Sequence, residues 1–119
     1  MGLKLANELL REAAHLTHVD IPDVLRWKGI ALLDLDQHDA ALQTLTKARS
    51  LANKLGANPQ LWLILSSLAD VNEKLGNDKE GESNRQEARN IIEQLAESLR
   101  EVGLAESFLE QPRVRAMMR

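Results

Sequence analysis

Cysteine is absent from the 119 residues, which removes disulfides, thiolate metal ligands and a cysteine nucleophile together. Aromatic residues make up only 3% of the chain and tyrosine is missing, so a core must come from leucine, alanine and isoleucine packed between helices. Long apolar runs are missing too. The longest, Leu61 to Leu65, falls far short of the roughly 20 residues needed to cross a bilayer. The Met1-Gly2-Leu3-Lys4 start lacks the basic, apolar and small-residue order of a secretory signal, which leads us to expect a cytoplasmic protein. Positive charge is not in excess: the net charge is −3 and neither half is net basic. Arg113, Arg115 and Arg119 form a small tail that reads as a solvated helix end. Neither a nucleic-acid partner nor a membrane is expected.

What the chain has is helical periodicity and an echo. Ala41, Leu45 and Ala48 return forty residues later as Gly81, Arg85 and Ala88, with a fainter copy at Ala6, Leu10 and Ala13. The 3.6-residue period predicts five main helices. They run from about Leu3 to Leu16, Pro22 to Leu35, Ala40 to Leu55, Pro59 to Leu75 and Lys79 to Val102, with short closing helices at Leu104 to Leu109 and Pro112 to Met118. Leu55-Gly56 and Leu75-Gly76 read as helix stops, and Pro22 and Pro59 fit first turns. No segment alternates like a strand. Short connections force antiparallel neighbours, and a period of this length means stacked helix pairs, because one pair cannot bury its own apolar face. Gly29 and Ala69 hold equivalent places in the inner helices, as do Ala41 and Gly81 in the outer ones, where small residues let helices approach closely.

The stretch Leu25-x3-Gly29-x2-Leu32-x8-Ala41-x3-Leu45-x2-Ala48, echoed as Leu65-x3-Ala69-x2-Asn72-x8-Gly81-x3-Arg85-x2-Ala88, resembles the tetratricopeptide repeat. Leu75-Gly76-Asn77-Asp78 is similar to that family's turn between paired helices. Leu32, Asn72, Leu45 and Arg85 stand where the family often has aromatics, and the step of forty exceeds its usual length. The longer step resembles the repeats of large bacterial signalling ATPases and LuxR-type regulators. The closing segment around Ser107-Phe108-Leu109 and Pro112 is similar to their C-terminal ends. The resemblance implies an all-α, tetratricopeptide-like stack of antiparallel helix pairs over residues 1–102 with a short helical cap over 103–119. It also implies a non-catalytic protein-interaction and scaffolding role within a larger regulatory protein. A self-associating structural helical oligomer is the alternative.

Chemistry-bearing clusters are sparse. Asp34, Asp36, His38 and Asp39 crowd one connection, but a calcium loop starting at Asp34 would need glycine where Asp39 stands and glutamate where Leu45 stands. The cluster reads as a polar turn in which Asp36 or a neighbour caps the following helix. His15 and His18 have zinc-compatible spacing but no strong third ligand beside them. Ser66-Ser67 lacks a glycine elbow, and Gly76 to Gly81 lacks the Lys-Ser/Thr ending of a phosphate loop. No enzyme, metal or cofactor is expected. Trp27 and Trp62, near the starts of inner helices, read as packing residues or as partner anchors.

By position in the resembled family, the inner helices line a partner groove. That assigns Asp23, Arg26, Ile30, Leu33 and Asp34 from one pair, and Leu63, Ser66, Asp70, Glu73 and Lys74 from the next. This is a mixed apolar and acidic surface, suited to a protein or peptide segment that is apolar and mildly basic. Leu5, Leu9 and Leu16 lie on a helix with no pairing partner in the chain, which leads us to expect a homodimer through the N-terminal helices.

Overall fold

A computed structural model describes residues 21–118. The expected first helix, with Leu5, Leu9 and Leu16 and the dimer they predict, lies outside the described residues, as do His15 and His18. Six helices follow one another: α1 (Ile21–Asp34), α2 (His38–Leu55), α3 (Asn58–Lys74), α4 (Asp78–Arg100), α5 (Ala105–Glu110) and α6 (Pro112–Met118). They pack as consecutive antiparallel pairs, and no strand occurs among the described residues. The most extensive interfaces are α3 with α4 and α1 with α2, followed by α2 with α3.

One device closes each of the four long helices. A residue in the left-handed region ends the helix, and the N–H of the next residue reaches back five positions. Gln37 N–H donates to Leu32 C=O at 2.9 Å, Ala57 to Ala52 at 2.9 Å, Asn77 to Asn72 at 2.7 Å and Leu104 to Leu99 at 2.9 Å. The left-handed residues are Asp36 (φ 59°), Gly56 (66°), Gly76 (82°) and Gly103 (76°). The first three stand at a constant step along the chain. A fourth such stop would fall at residue 96, but Ala96 is buried inside α4, and the helix runs on to Arg100.

The side-chain cap expected before α2 does not form. Gln37, Ala57 and Asn77 each precede the next helix with nearly the same backbone angles, and none caps it with its side chain. Each already spends its N–H on the helix it leaves, while its C=O accepts the first bond of the helix it enters: Ala41, Leu61 and Gly81 donate to Gln37, Ala57 and Asn77 at 2.9, 2.9 and 3.0 Å. Asp36 therefore terminates α1 and does not cap α2.

The core follows from which faces are apolar. On α2, Ala41, Leu45, Ala48 and Ala52 are buried along a single stripe. On α3, Leu61, Trp62, Ile64, Leu65, Leu68, Ala69, Val71 and Asn72 are buried around much of the circumference, because α2, α4 and α1 all contact it. Burying a side chain such as Ile64 or Leu65 contributes roughly 1.5–3 kcal/mol. Small residues set the spacing within each pair. A Cβ on Gly29 would sit 2.5 Å from Leu45 Cγ, and one on Gly81 would sit 3.3 Å from the Ala69 carbonyl oxygen. The C-terminal helices close the far side: Ala105, Val114 and Met117 are buried, and Arg89 Nε donates to the Met117 carbonyl oxygen at 3.1 Å. No described helix is long and apolar enough to cross a membrane.

Candidate functional site

The faces of α1 and α3 that do not meet their hairpin partners look onto a common half-open cleft of about 400 Å3, and α6 supplies its third wall. Of the residues assigned to the groove from sequence, Arg26, Ile30, Leu33, Asp34, Leu63, Ser66 and Asp70 line it. Asp23, Glu73 and Lys74 do not. Asp23 acts on it only through its charge on Arg26, and Glu73 stands at its margin as a partner of Arg85. The remaining lining comes from residues that position in the inner helices alone did not suggest: Trp62, Ser67, Arg85, Arg113, Ala116 and Met117.

These additions change the electrostatics. Helices α1 and α3 by themselves present Arg26 against Asp34 and Asp70, which is the acidic surface expected from sequence. Arg85 from α4 and Arg113 from α6 turn this into three arginines against two aspartates. Arg85 is already committed: its Nε donates to Glu73 Oε1 at 2.8 Å and its Nη2 to Asp70 Oδ1 at 3.3 Å. Burial alone would lower the Arg85 pKa, but the hydrogen bond and charge of Glu73, together with those of Asp70, outweigh it and raise it above the ordinary value.

Arg26 is in the opposite position. Its residue is only 6% exposed, its Nε is buried without a hydrogen-bond partner, and it makes no ion pair among the described residues. Burial pushes its pKa down; the charge of Asp23 draws it back up, and the like charge of Arg113 lowers it further. The guanidinium carbon lies 4.8 Å from the centre of the Trp27 ring, a cation–π contact at the rim. Trp27 itself is 45% exposed, whereas Trp62 is buried in the core and lines the floor of the cleft only from there.

The acidic connection forms no site of its own. Asp36 and Asp39 are exposed, and His38 Nε2 lies 3.7 Å from Asp36 Oδ1, a distance of weak surface attraction. No group of three or more His, Asp or Glu residues placed to hold a metal ion occurs among the described residues. Comparison of the chain with protein-family models, with curated proteins and with solved structures finds no match.

Proposed function

We propose that this chain is a non-catalytic protein-interaction module of the tetratricopeptide type, whose cleft between α1, α3 and α6 receives a segment of another protein. The observation that carries the reading is the cleft's composition. Ile30, Leu33, Leu63 and Met117 offer apolar wall, and a few polar groups interrupt it, which is the mixture that orients an extended or helical segment. The repeated turn geometry at Asp36 and Gly76, forty residues apart like the sequence echo, supports the repeat character. With the long step of that echo, we assign the module to a scaffolding role in a larger bacterial regulatory protein, in a cytoplasmic setting.

The test is a selection of peptides on the intact chain from a displayed random dodecapeptide library. Peptides that bind should lose binding at least tenfold with Leu63→Glu, whose side chain lines the cleft, and keep it with Lys47→Glu on exposed α2. Circular dichroism would check that both variants remain helical. Failure to recover any peptide sensitive to Leu63→Glu would overturn the assignment.

A further inference from the structure

Four of the seven described arginines are answered by a carboxylate. Arg49 meets Glu87, Arg85 meets Glu73 and Asp70, Arg89 meets Glu82, and Arg100 meets Glu97. Arg26, Arg113 and Arg115 have no acidic partner within ion-pair distance among the described residues; Arg26 and Arg113 line one cleft, where the charge of Arg113 acts on Arg26, whereas Arg115 is exposed outside it. Arg26 is the sharper anomaly, because its Nε is wholly buried and unbonded. A guanidinium whose Nε is sealed from solvent without an acceptor is destabilised relative to one that is paired, and the like charge of Arg113 adds to that.

We propose that the cleft recognises an acidic residue within the partner segment, its side-chain carboxylate seated between Arg26 and Arg113. The inference rests on the reading of the cleft as a peptide groove and specifies what it takes. A carboxylate satisfies both guanidinium groups at once, since it offers two oxygens with four lone pairs and each arginine presents a fork of donors. A single negative charge fits better than a doubly charged phosphate. Asp34 and Asp70 also line the cleft, Glu73 pairs with Arg85 at its margin and the charge of Asp23 acts on Arg26, so the arginines are already largely balanced and leave no room for a second negative charge. The walls beside the arginines are Ile30, Leu33 and Leu63, so the residues flanking the acid are apolar. An acid within a segment, with apolar neighbours on both sides, uses these walls where a free chain end would leave part of them bare.

The displayed dodecapeptides, fused at their C-termini so that no terminal carboxylate is free, provide the probe. Selected peptides should be enriched in Asp or Glu flanked by apolar residues. Their affinity should fall about tenfold with Arg113→Gln, the loss of one charge-assisted hydrogen bond, and about as much when the acid is replaced by its amide. Arg115→Gln, on the same helix and outside the cleft, should leave affinity unchanged. Binding should also shift the emission of Trp27, whose ring lies against the Arg26 guanidinium. Cleft-dependent peptides with no preference for acids, or with affinity indifferent to Arg113→Gln, would overturn the carboxylate inference and leave the peptide groove standing. Selection that succeeds only when free C-termini are displayed would assign the arginines to a chain end and overturn it likewise. No peptide sensitive to Leu63→Glu would overturn both.

Discussion

At residues 32, 33 and 45 the hairpin α1–α2 carries three leucines. Forty residues on, the hairpin α3–α4 carries Asn72, Glu73 and Arg85 on the same backbone plan. In the first hairpin Leu45 is completely buried and packs onto the bare backbone at Gly29. In the second, Asn72 Nδ2 donates to Asn84 Oδ1 at 2.8 Å in the interior, and Arg85 spans the rim to Glu73 and Asp70. Identical turns thus join two locks of different chemistry. The difference shows that the turn and the small residues specify the hairpin, while the side chains that fasten it are exchangeable only as complete sets. A hydrogen-bonded lock needs every partner present; an aliphatic one needs volume.

Crossing the two locks gives the largest effect. Leu45→Arg places a cation where Leu33 and Ile30 stand in place of the Glu73 and Asp70 that answer Arg85. An unpaired buried charge should cost about 4 kcal/mol or more, read as loss of most cooperative unfolding in a urea titration. The reverse exchange, Arg85→Leu, removes an ion pair whose acidic partners are about half exposed and should change stability by no more than about 1 kcal/mol. Equal losses from the two would show that the hairpins are not fastened differently.

A second experiment takes the buried amide pair apart. Asn72→Ala leaves the Asn84 side chain without its donor and should cost about 1–3 kcal/mol by chemical denaturation. Installing the first hairpin's residues at both positions, Asn72→Leu with Asn84→Thr, should recover stability to within about 1 kcal/mol of the parent. A double variant as unstable as the single one would tie the second hairpin to its amides specifically.

The smallest effect sharpens the likeness of the turns. Asp36 and Gly76 do the same work, yet only glycine enters the left-handed region without strain. Asp36→Gly should stabilise the chain by about 0.5 kcal/mol, raising Tm by about 2–4 °C in calorimetry. The 3.7 Å contact to His38 that it forfeits is an exposed one, and its loss should not offset the gain.

Local signals carried most of the architecture. Helical periodicity and the Leu-Gly stops place α2, α3 and α4 within two residues of their observed ends, and Pro112 to Met118 matches α6. The turn at Asp36 was harder to read, since aspartate does not announce a left-handed residue; only its place forty residues before Gly76 does. The cap expected from Asp36 or a neighbour does not form, because Asp36 lies in the left-handed turn that ends α1 and Gln37 stands at the N-cap position. Position on the inner helices placed part of the cleft, from Arg26 to Asp70. Its third wall was not legible. Arg113 looks like a solvated tail residue, and the direction in which a seven-residue helix folds back is decided by contacts distant in sequence. The one local hint is the three-residue spacing of Val114 and Met117, both buried.

The omitted stop at Ala96 makes α4 longer than α2 or α3, and the chain turns only at Gly103, about 10 Å further along the helix axis. From there α5 and α6 double back, and α6 faces α1 across the cleft while held by Val114, Met117 and the Arg89 bond. If the cleft takes a segment as proposed, docking of the C-terminal helix and occupancy of the cleft would be one linked equilibrium. A segment engaging Arg113 would hold α6 down, and fraying of α6 would dissolve the wall the segment rests on. The tightness of such a grip would be set as much by the anchorage of the last seven helical residues as by the contacts the segment makes.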